Sequence, residues 1–500
     1  MSIALDPDVC YRALQTRDRR FDGRFFTAVR STGIFCRPVC PATVPKRENC
    51  TFYRSAAAAQ QAGYRPCLRC RPELAPQLWA TADGSDVVPR ALQLIGAGAL
   101  DELSVSDLAN RLGVSDRYLR RRFAEDLGTA PSQVAKTRRL LFAKQLITDT
   151  TLTMTAIAIA TGFKSIRSFN RALQQTYGCP PTDLRRHRQT ASAEDPITLK
   201  LPFSPPYNWE AIAAFYNGRA TPGLTSATPH RYGRTIELEG HQGWISVGPV
   251  PDKPYLQAQI AFPQVSLLAK IVTRLQRMFD LTANGAAIEQ QLQQDPIFQS
   301  QFQTGLRIPG AWDAFELAVR AIVGQQVSVV AANRLFERIV TRYGQPLSIP
   351  AAPPELRYVF PQPTVLAAAD LTEVGVMRPR AIAIATLAQT VADTPAFFDR
   401  LTTLEAAVTT LCQFPGIGPW TAHYIAMRAL QIPDAFPPGD SGLLRGIAAL
   451  GEPLTKAQLQ QRSAAWQPWR AYAAMQLWAA DSQAAAHKSI QPSQLEVLSA

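Results

Sequence analysis

Two pairs of cysteines offer the first chemistry in this 500-residue chain. Cys36 and Cys40 are separated by three residues and Cys67 and Cys70 by two. Thiolates paired in this way suit Zn²⁺ in a closed tetrahedral site; a redox or coincidental set is the plain alternative. The first 80 residues hold few aliphatic side chains, so a metal would help to hold them together. Thiolates are also nucleophiles. Arg30, Arg37, Lys46, Arg47, Arg54, Arg65, Arg69 and Arg71 surround these four in sequence, a basic setting that would hold a phosphate backbone close to sulfur. Cys10, Cys50, Cys179 and Cys412 lack such neighbours and are expected to be ordinary buried thiols.

A second chemistry lies in Phe414-Pro415-Gly416-Ile417-Gly418-Pro419-Trp420-Thr421-Ala422. A helix over 404–412 leads in, Gly416 and Gly418 permit positive φ, and Pro419 opens a second helix. Free backbone N–H groups at such a helix start cradle phosphate, which makes a helix-hairpin-helix clamp for DNA. An ordinary turn between core helices is the alternative.

A third lies in a repeated pattern. Ser106 reads as the N-cap of a short helix, Gly113-Val114-Ser115 as a turn with a new cap, and Asp116 to Phe123 as a helix. Leu119 and Phe123 form its apolar face, and Arg117, Arg120 and Arg121 its cationic one. The pattern recurs as Ala156–Thr161, Gly162-Phe163-Lys164-Ser165 and Ile166–Leu173, with Lys164, Arg167 and Arg171 outward and a turn one residue longer. This is the helix-turn-helix layout, whose second helix enters the major groove. Sequence does not sort the six cations into base and phosphate contacts.

The elements that must carry these groups divide the chain. Residues 1–80 are Cys- and Arg-rich, and Thr81–Asp86 reads as a linker. Residues 85–190 are helical and basic, and Thr190–Pro196 reads as a second linker. Residues 196–308 alternate in short runs such as Thr235–Glu239 and Trp244–Val247, followed by a helix over 266–279. Residues 309–490 are mostly helical. The expected fold is multidomain and mainly α with α+β parts.

Charge follows this division. Residues 1–190 hold 29 Lys and Arg against 16 Asp and Glu, and residues 191–500 hold 23 against 23, so the net +13 sits in the first two-fifths. That points to a polyanion, most simply nucleic acid. Hydrophobic residues at 46% and charged ones at 18% exclude a disordered scaffold. No apolar run is long enough to span a membrane. Residues 1–30 carry no signal-peptide core, so a cytoplasmic location with reduced or metal-bound Cys is expected.

The segment Thr32-Gly33-Ile34-Phe35-Cys36-Arg37-Pro38-Val39-Cys40, with Arg47-Glu48-Asn49 and Arg65-Pro66-Cys67-Leu68-Arg69-Cys70, closely resembles the N-terminal domain of Ada-type methylation-response proteins over residues 8–78. The resemblance implies one Zn²⁺ on Cys36, Cys40, Cys67 and Cys70. It also implies that Cys36 irreversibly accepts a methyl group from a DNA methylphosphotriester. Methylation would take the site from −2 to −1 and ease repulsion from the DNA backbone. The paired helix-turn-helix units resemble the AraC-type domain over 87–188, which implies a transcription activator. The second Ada methyltransferase domain, with its Pro-Cys-His-Arg nucleophile, has no counterpart here, so no O6-methylguanine repair is expected.

Residues 197–485 resemble the AlkA-type 3-methyladenine DNA glycosylases. The match rests on the hairpin, on Val319–Ser328, Leu371–Arg380 and Trp466–Tyr472, and on Phe436-Pro437-Pro438-Gly439-Asp440. It implies that Asp440 is the catalytic aspartate, that Trp420, Tyr424 and Trp478 line a base pocket, and that Gln325 and Gln326 meet DNA. Trp420 stands where strand-cleaving relatives carry Lys, and no Cys follows Cys412. A monofunctional hydrolase without an iron–sulfur cluster is therefore expected. Gln326 departs from the Leu usual at the position that wedges into DNA. The resemblances together imply alkylated and promoter DNA as partners, RNA polymerase as a candidate contact, and a monomer. The alternative is a regulator whose glycosylase half is an inactive DNA clamp.

Overall fold

The computed structural model describes residues 5–77, 87–185, 195–349 and 351–490. The linker expected at Thr81–Asp86 and residues 190–194 of the second linker lie outside these. Among the described residues no helix is long and apolar enough to cross a membrane.

The first unit is a small four-stranded sheet: β1 (Phe26–Val29), β2 (Ile34–Cys36), β3 (Cys50–Tyr53) and β4 (Arg65–Pro66), in the order β3-β1-β2-β4. Its core is slight, built on Phe26, Ala28, Phe35, Ala56, Ala59 and Ala75. The cysteine cluster sits at the ends of β2 and β4.

Two helix pairs follow. Val105–Arg111 leads to Asp116–Leu127, and Met154–Ala160 leads to Ile166–Tyr177, with the 19-residue helix Pro131–Asp149 between them. The first short helix starts earlier than its sequence pattern suggests. Ser104, not Ser106, is the N-cap: its hydroxyl accepts from Asp107 N–H while the Asp107 carboxylate returns to the Ser104 backbone, a reciprocal box that fixes the start. Ser115 and Ser165 cap the second helix of each pair, and Gly113 and Gly162 make the turns at φ +72° and +73°.

The α+β unit is an antiparallel sheet, β5 (Ile197–Pro202), β6 (Thr225–Thr228), β7 (Arg231–Leu238), β8 (His241–Pro249) and β9 (Tyr255–Ala261), in the order β5-β9-β8-β7-β6. The expected runs pair directly, Thr235 opposite Trp244. The helix Leu268–Met278 covers the sheet with Ile271, Leu275 and Met278 buried. The all-α unit has its own core, from Phe315, Ile322 and Phe336 to Phe436, Ile447 and Leu477. A buried pair, Arg234 to Glu316 at 2.6 Å, joins the sheet to this unit.

The cores do not follow the expected linkers. Val88 to Ala135, around the first helix-turn-helix, form one cluster. Leu140 to Leu184, around the second, share a single apolar cluster with the α+β sheet and its covering helix.

Candidate metal centre, nucleic-acid interface and base pocket

Strand pairing builds the metal centre. β2 and β4 run parallel, with Phe35 opposite Pro66, so Cys36 and Cys67 emerge side by side at the strand ends. Cys67 N–H donates to Phe35 O at 3.0 Å, and a turn closed from Cys40 N–H to Arg37 O folds Cys40 back. The four sulfurs lie within 4.8 Å of one another. Cys40, Cys67 and Cys70 are buried; Cys36 is the one partly open to solvent.

Sulfurs this close share protons. Hydrogen bonding to Cys36 pushes Cys67 and Cys40 down, Cys40 to about 7, while hydrogen bonds among the thiols push Cys36 and Cys70 up. Four thiolates at this spacing need a cation between them. The donor set fits one Zn²⁺. Arg37 N–H donates to Cys70 Sγ at 3.4 Å, the outer-shell bond that steadies a thiolate ligand.

The basic setting is smaller than the sequence implied. Arg37 is buried, its guanidinium on Asp22 and the Cys70 carbonyl. Arg71 pairs with Glu73 and Asp149, both at 2.9 Å. Arg30 and Arg54 donate to the carbonyls of Glu48 and Glu125, and Arg47 lies over Phe52 and near Asp8. Lys46, Arg65 and Arg69 are exposed, and their side chains have no hydrogen-bond or ion-pair partner among the described residues. Burying a guanidinium requires a carboxylate or carbonyl, which is how Arg37 is used. Cys10 and Cys50 are buried as expected; Cys179 and Cys412 are only half-buried.

All six helix-turn-helix cations are exposed. Arg120 pairs with Asp116 at 2.8 Å, and Arg121 lies 3.8 Å from Glu125 and over Tyr118. Arg117, Lys164, Arg167 and Arg171 have no hydrogen-bond or ion-pair partner among the described residues.

The hairpin joins the helix Leu404–Leu411 to the helix Pro419–Arg428. Gly416 needs φ +79°; Gly418 does not, being an extended N-cap at φ −91°. Both are exposed, and their amides have no acceptor among the described residues. The Gln325 amide donates to Gly416 O at 2.8 Å and to Thr421 Oγ1 at 2.9 Å, pinning the turn after the helix Ala314–Val323 onto the hairpin.

Asp440 caps the helix Ser441–Ala449, its Oδ1 accepting from Leu443 N–H at 2.8 Å. The Trp478 indole donates to the same oxygen at 2.9 Å, and the Trp420 indole donates to Oδ2 at 2.7 Å. A carboxylate has about four acceptor sites, so three donors fix its plane and leave one free. Gly442 makes room for this: a Cβ there would stand 3.1 Å from Trp478 Cδ1 and 3.0 Å from Asp440 Oδ1.

The structure therefore brings Trp420, Tyr424, Trp478 and Asp440 together, but not as three open walls. Trp420 and Tyr424 stack on each other, centroids 5.1 Å apart and planes 10° apart, so no base fits between those rings. Tyr424 and Trp478 meet edge to face at 6.4 Å.

Behind Tyr424 stands a group that sequence reasoning missed. Arg428 donates to the Tyr424 hydroxyl at 2.7 Å, and Arg428 and Arg219 lie 4.5 and 3.8 Å from the Phe215 ring. Burial raises the Tyr424 phenol, but the Arg428, Arg219 and Arg320 guanidiniums outweigh it and hold it below its ordinary value. The four-residue step from Tyr424 to Arg428 was visible in the sequence; Arg219, two hundred residues away, carried no signal.

Four known domain families match in the same order: the metal-binding domain of Ada at residues 9–73, a helix-turn-helix domain at 108–187, the AlkA N-terminal domain at 198–313, and the HhH-GPD superfamily of base excision DNA repair proteins at 319–471. A probable bifunctional transcriptional activator/DNA repair enzyme AlkA of Mycobacterium tuberculosis H37Rv is 37% identical over 480 residues, 95% of this chain and 96% of that one. The chain belongs to this bifunctional activator/repair family. Its two halves are similar to separate proteins elsewhere. DNA-3-methyladenine glycosylase 2 of Escherichia coli K12 is 33% identical over 56% of this chain and 95% of its own. The Ada activator/repair enzyme of the same organism is 33% identical over 36% of this chain and 49% of its own. Within the family the zinc-binding, helix-turn-helix and hairpin domains support DNA binding.

Proposed function

We propose that this chain joins an alkylation sensor and transcription activator to a DNA glycosylase. In the first half, the Cys36 sulfur attacks the methyl carbon of a methylphosphotriester. An S–CH₃ bond forms as the O–CH₃ bond breaks, and the electron pair leaves on the phosphodiester oxygen. Bound Zn²⁺ would keep the sulfurs as thiolates; the partial exposure of Cys36 alone among the four supports its role as acceptor. The thioether formed lowers the negative charge beside the backbone and tightens the grip of the exposed helix-turn-helix cations. RNA polymerase is the contact that activation calls for, and one chain carries both sites.

In the second half, an alkylated purine is extruded and released by N-glycosidic hydrolysis. Such a base is already cationic and a good leaving group. The site needs a carboxylate beside the sugar to stabilise the oxocarbenium-like transition state or to orient water. The observation that carries this reading is the Asp440 carboxylate, fixed by two indoles and its own helix start next to the hairpin. With Trp420 in place of a lysine, hydrolysis stops at the abasic site. Release of free 3-methyladenine from methylated duplex DNA tests it: Asp440→Asn is expected to lower release by about 100- to 1,000-fold. Equal release by both proteins would overturn the assignment of Asp440, and no release by the folded wild type would leave a DNA clamp.

A further inference from the structure

Gln326 is a non-glycine residue in the left-handed region, at φ 53°. A side chain held there is strained and persists only where its surroundings dictate it. The surroundings do so here. On one side, Gln325 is pinned to the hairpin through Gly416 O and Thr421 Oγ1. On the other, Ser328 caps the next helix by accepting from Ala331 N–H. Gln326 itself is exposed, and its amide has no partner among the described residues. Thr421 directly follows Trp420, whose indole holds Asp440. A turn pinned to the hairpin that carries Trp420 thus presents a primary amide with no partner among the described residues, flanked by the exposed Val329 and Val330.

We infer that Gln326 reads the base left unpaired when its partner is extruded, and so makes recognition depend on the nucleotide opposite the lesion. The inference rests on the glycosylase reading above. Extrusion leaves a gap in the stack and an orphaned Watson–Crick edge. An apolar side chain can only fill the gap. A primary amide offers a donor and an acceptor in one plane and can bond that edge in two places. Thymine, for example, presents N3–H to the amide oxygen and O4 to the amide nitrogen. A backbone already held in the left-handed turn leaves only the side chain to be ordered by this contact.

The test uses the full chain and two duplexes that each carry a tetrahydrofuran abasic site. One has thymine opposite; the other has difluorotoluene, its apolar isostere. With no lesion base present, differences in pairing strength drop out. Binding is measured in enough salt that undamaged duplex does not bind. Wild type is expected to favour thymine by about 5- to 10-fold, as one or two net hydrogen bonds allow. Gln326→Met, of similar length but with no amide, is expected to bind the two duplexes equally. Equal binding by wild type, or a thymine preference that survives Gln326→Met, would overturn the inference. Base release is measured alongside. A thymine preference without release would sustain Gln326 as the reader of the orphaned base and overturn the glycosylase reading, so the two failures are distinct.

Discussion

The two halves each hold an anionic group that the proposed function sets against alkylated DNA, and they hold it in opposite ways. In the metal centre the charge is spread over four sulfurs, and the one partly open to solvent, Cys36, hangs at the end of a short strand. In the base pocket the Asp440 carboxylate is gripped by three donors and sits at the start of a helix packed on the long C-terminal helix. The difference matches the chemistry proposed for each site. A group that must form a bond needs a free lone pair and an open approach. A group that must stabilise charge and survive each turnover needs a fixed position and little nucleophilicity.

The sharpest way to break this comparison is to remove the sulfur. Cys36→Ser is expected to abolish methyl transfer from methylphosphotriester DNA, read as labelled methyl on protein, while 3-methyladenine release is unchanged. Transfer that survives would move the acceptor to another sulfur. Next, Trp478→Phe keeps a ring but loses the N–H to Asp440. Base release is expected to fall about 10-fold, the scale of one charge-assisted hydrogen bond, with methyl transfer unaffected. No change would mean that Leu443 N–H and Trp420 suffice to fix the carboxylate.

The same contrast between free and tied groups runs through the double helix-turn-helix. Among the described residues, the first copy pairs Arg120 and Arg121 with its own acids and leaves only Arg117 of its three without a partner, whereas the second leaves Lys164, Arg167 and Arg171 all without one. Replacing those three with Gln is expected to lower the slope of log binding constant against log salt by about 1 for each phosphate no longer neutralised; replacing Arg120 and Arg121 should lower it less. Equal changes would show that DNA strips the acids from the first copy.

The smallest effect concerns His423, which lies on the pocket helix and accepts the Phe436 N–H on Nδ1. Burial, helped by Arg470, holds it down to about 4. Its contribution to stability is full above about pH 6.5 and is lost as pH falls toward 4, because the unfolded chain takes up the proton first. Asp280, pushed up to about 6 by burial, acts in the opposite sense. Melting temperatures between pH 6.5 and 4 should fall less steeply, by a few degrees, in His423→Asn than in wild type.

Much of this was legible in the sequence because it is local. Cysteine spacing, a Gly turn ahead of a new Ser cap, and Pro after Gly418 each specify geometry within a few residues. The family resemblance marked Asp440 and its aromatics, but not how they meet. That Trp420 and Trp478 aim their N–H groups at Asp440, and that Gly442 makes room for one of them, depends on helices brought together by the fold. The pairing of Arg37 with Asp22 was equally hidden, since a run of arginines reads as surface until a buried acid is found opposite it. Apolar periodicity shows which face of a helix is buried, but not what covers it. The second helix-turn-helix therefore read as part of a separate domain although it shares a core with the sheet beyond it.

That shared core bears on how the chain is made. Residues 140–184 leave the ribosome before the strands and the helix up to Phe279 that make up most of the rest of their cluster. At about 5–20 residues per second, the apolar face that includes Ile157 and Leu173 waits roughly 5–20 s for its cover. The regulator half thus depends on prompt synthesis of the enzyme half, and a translational pause just after the second repeat would expose it to aggregation at a stage when all four zinc ligands have already been made.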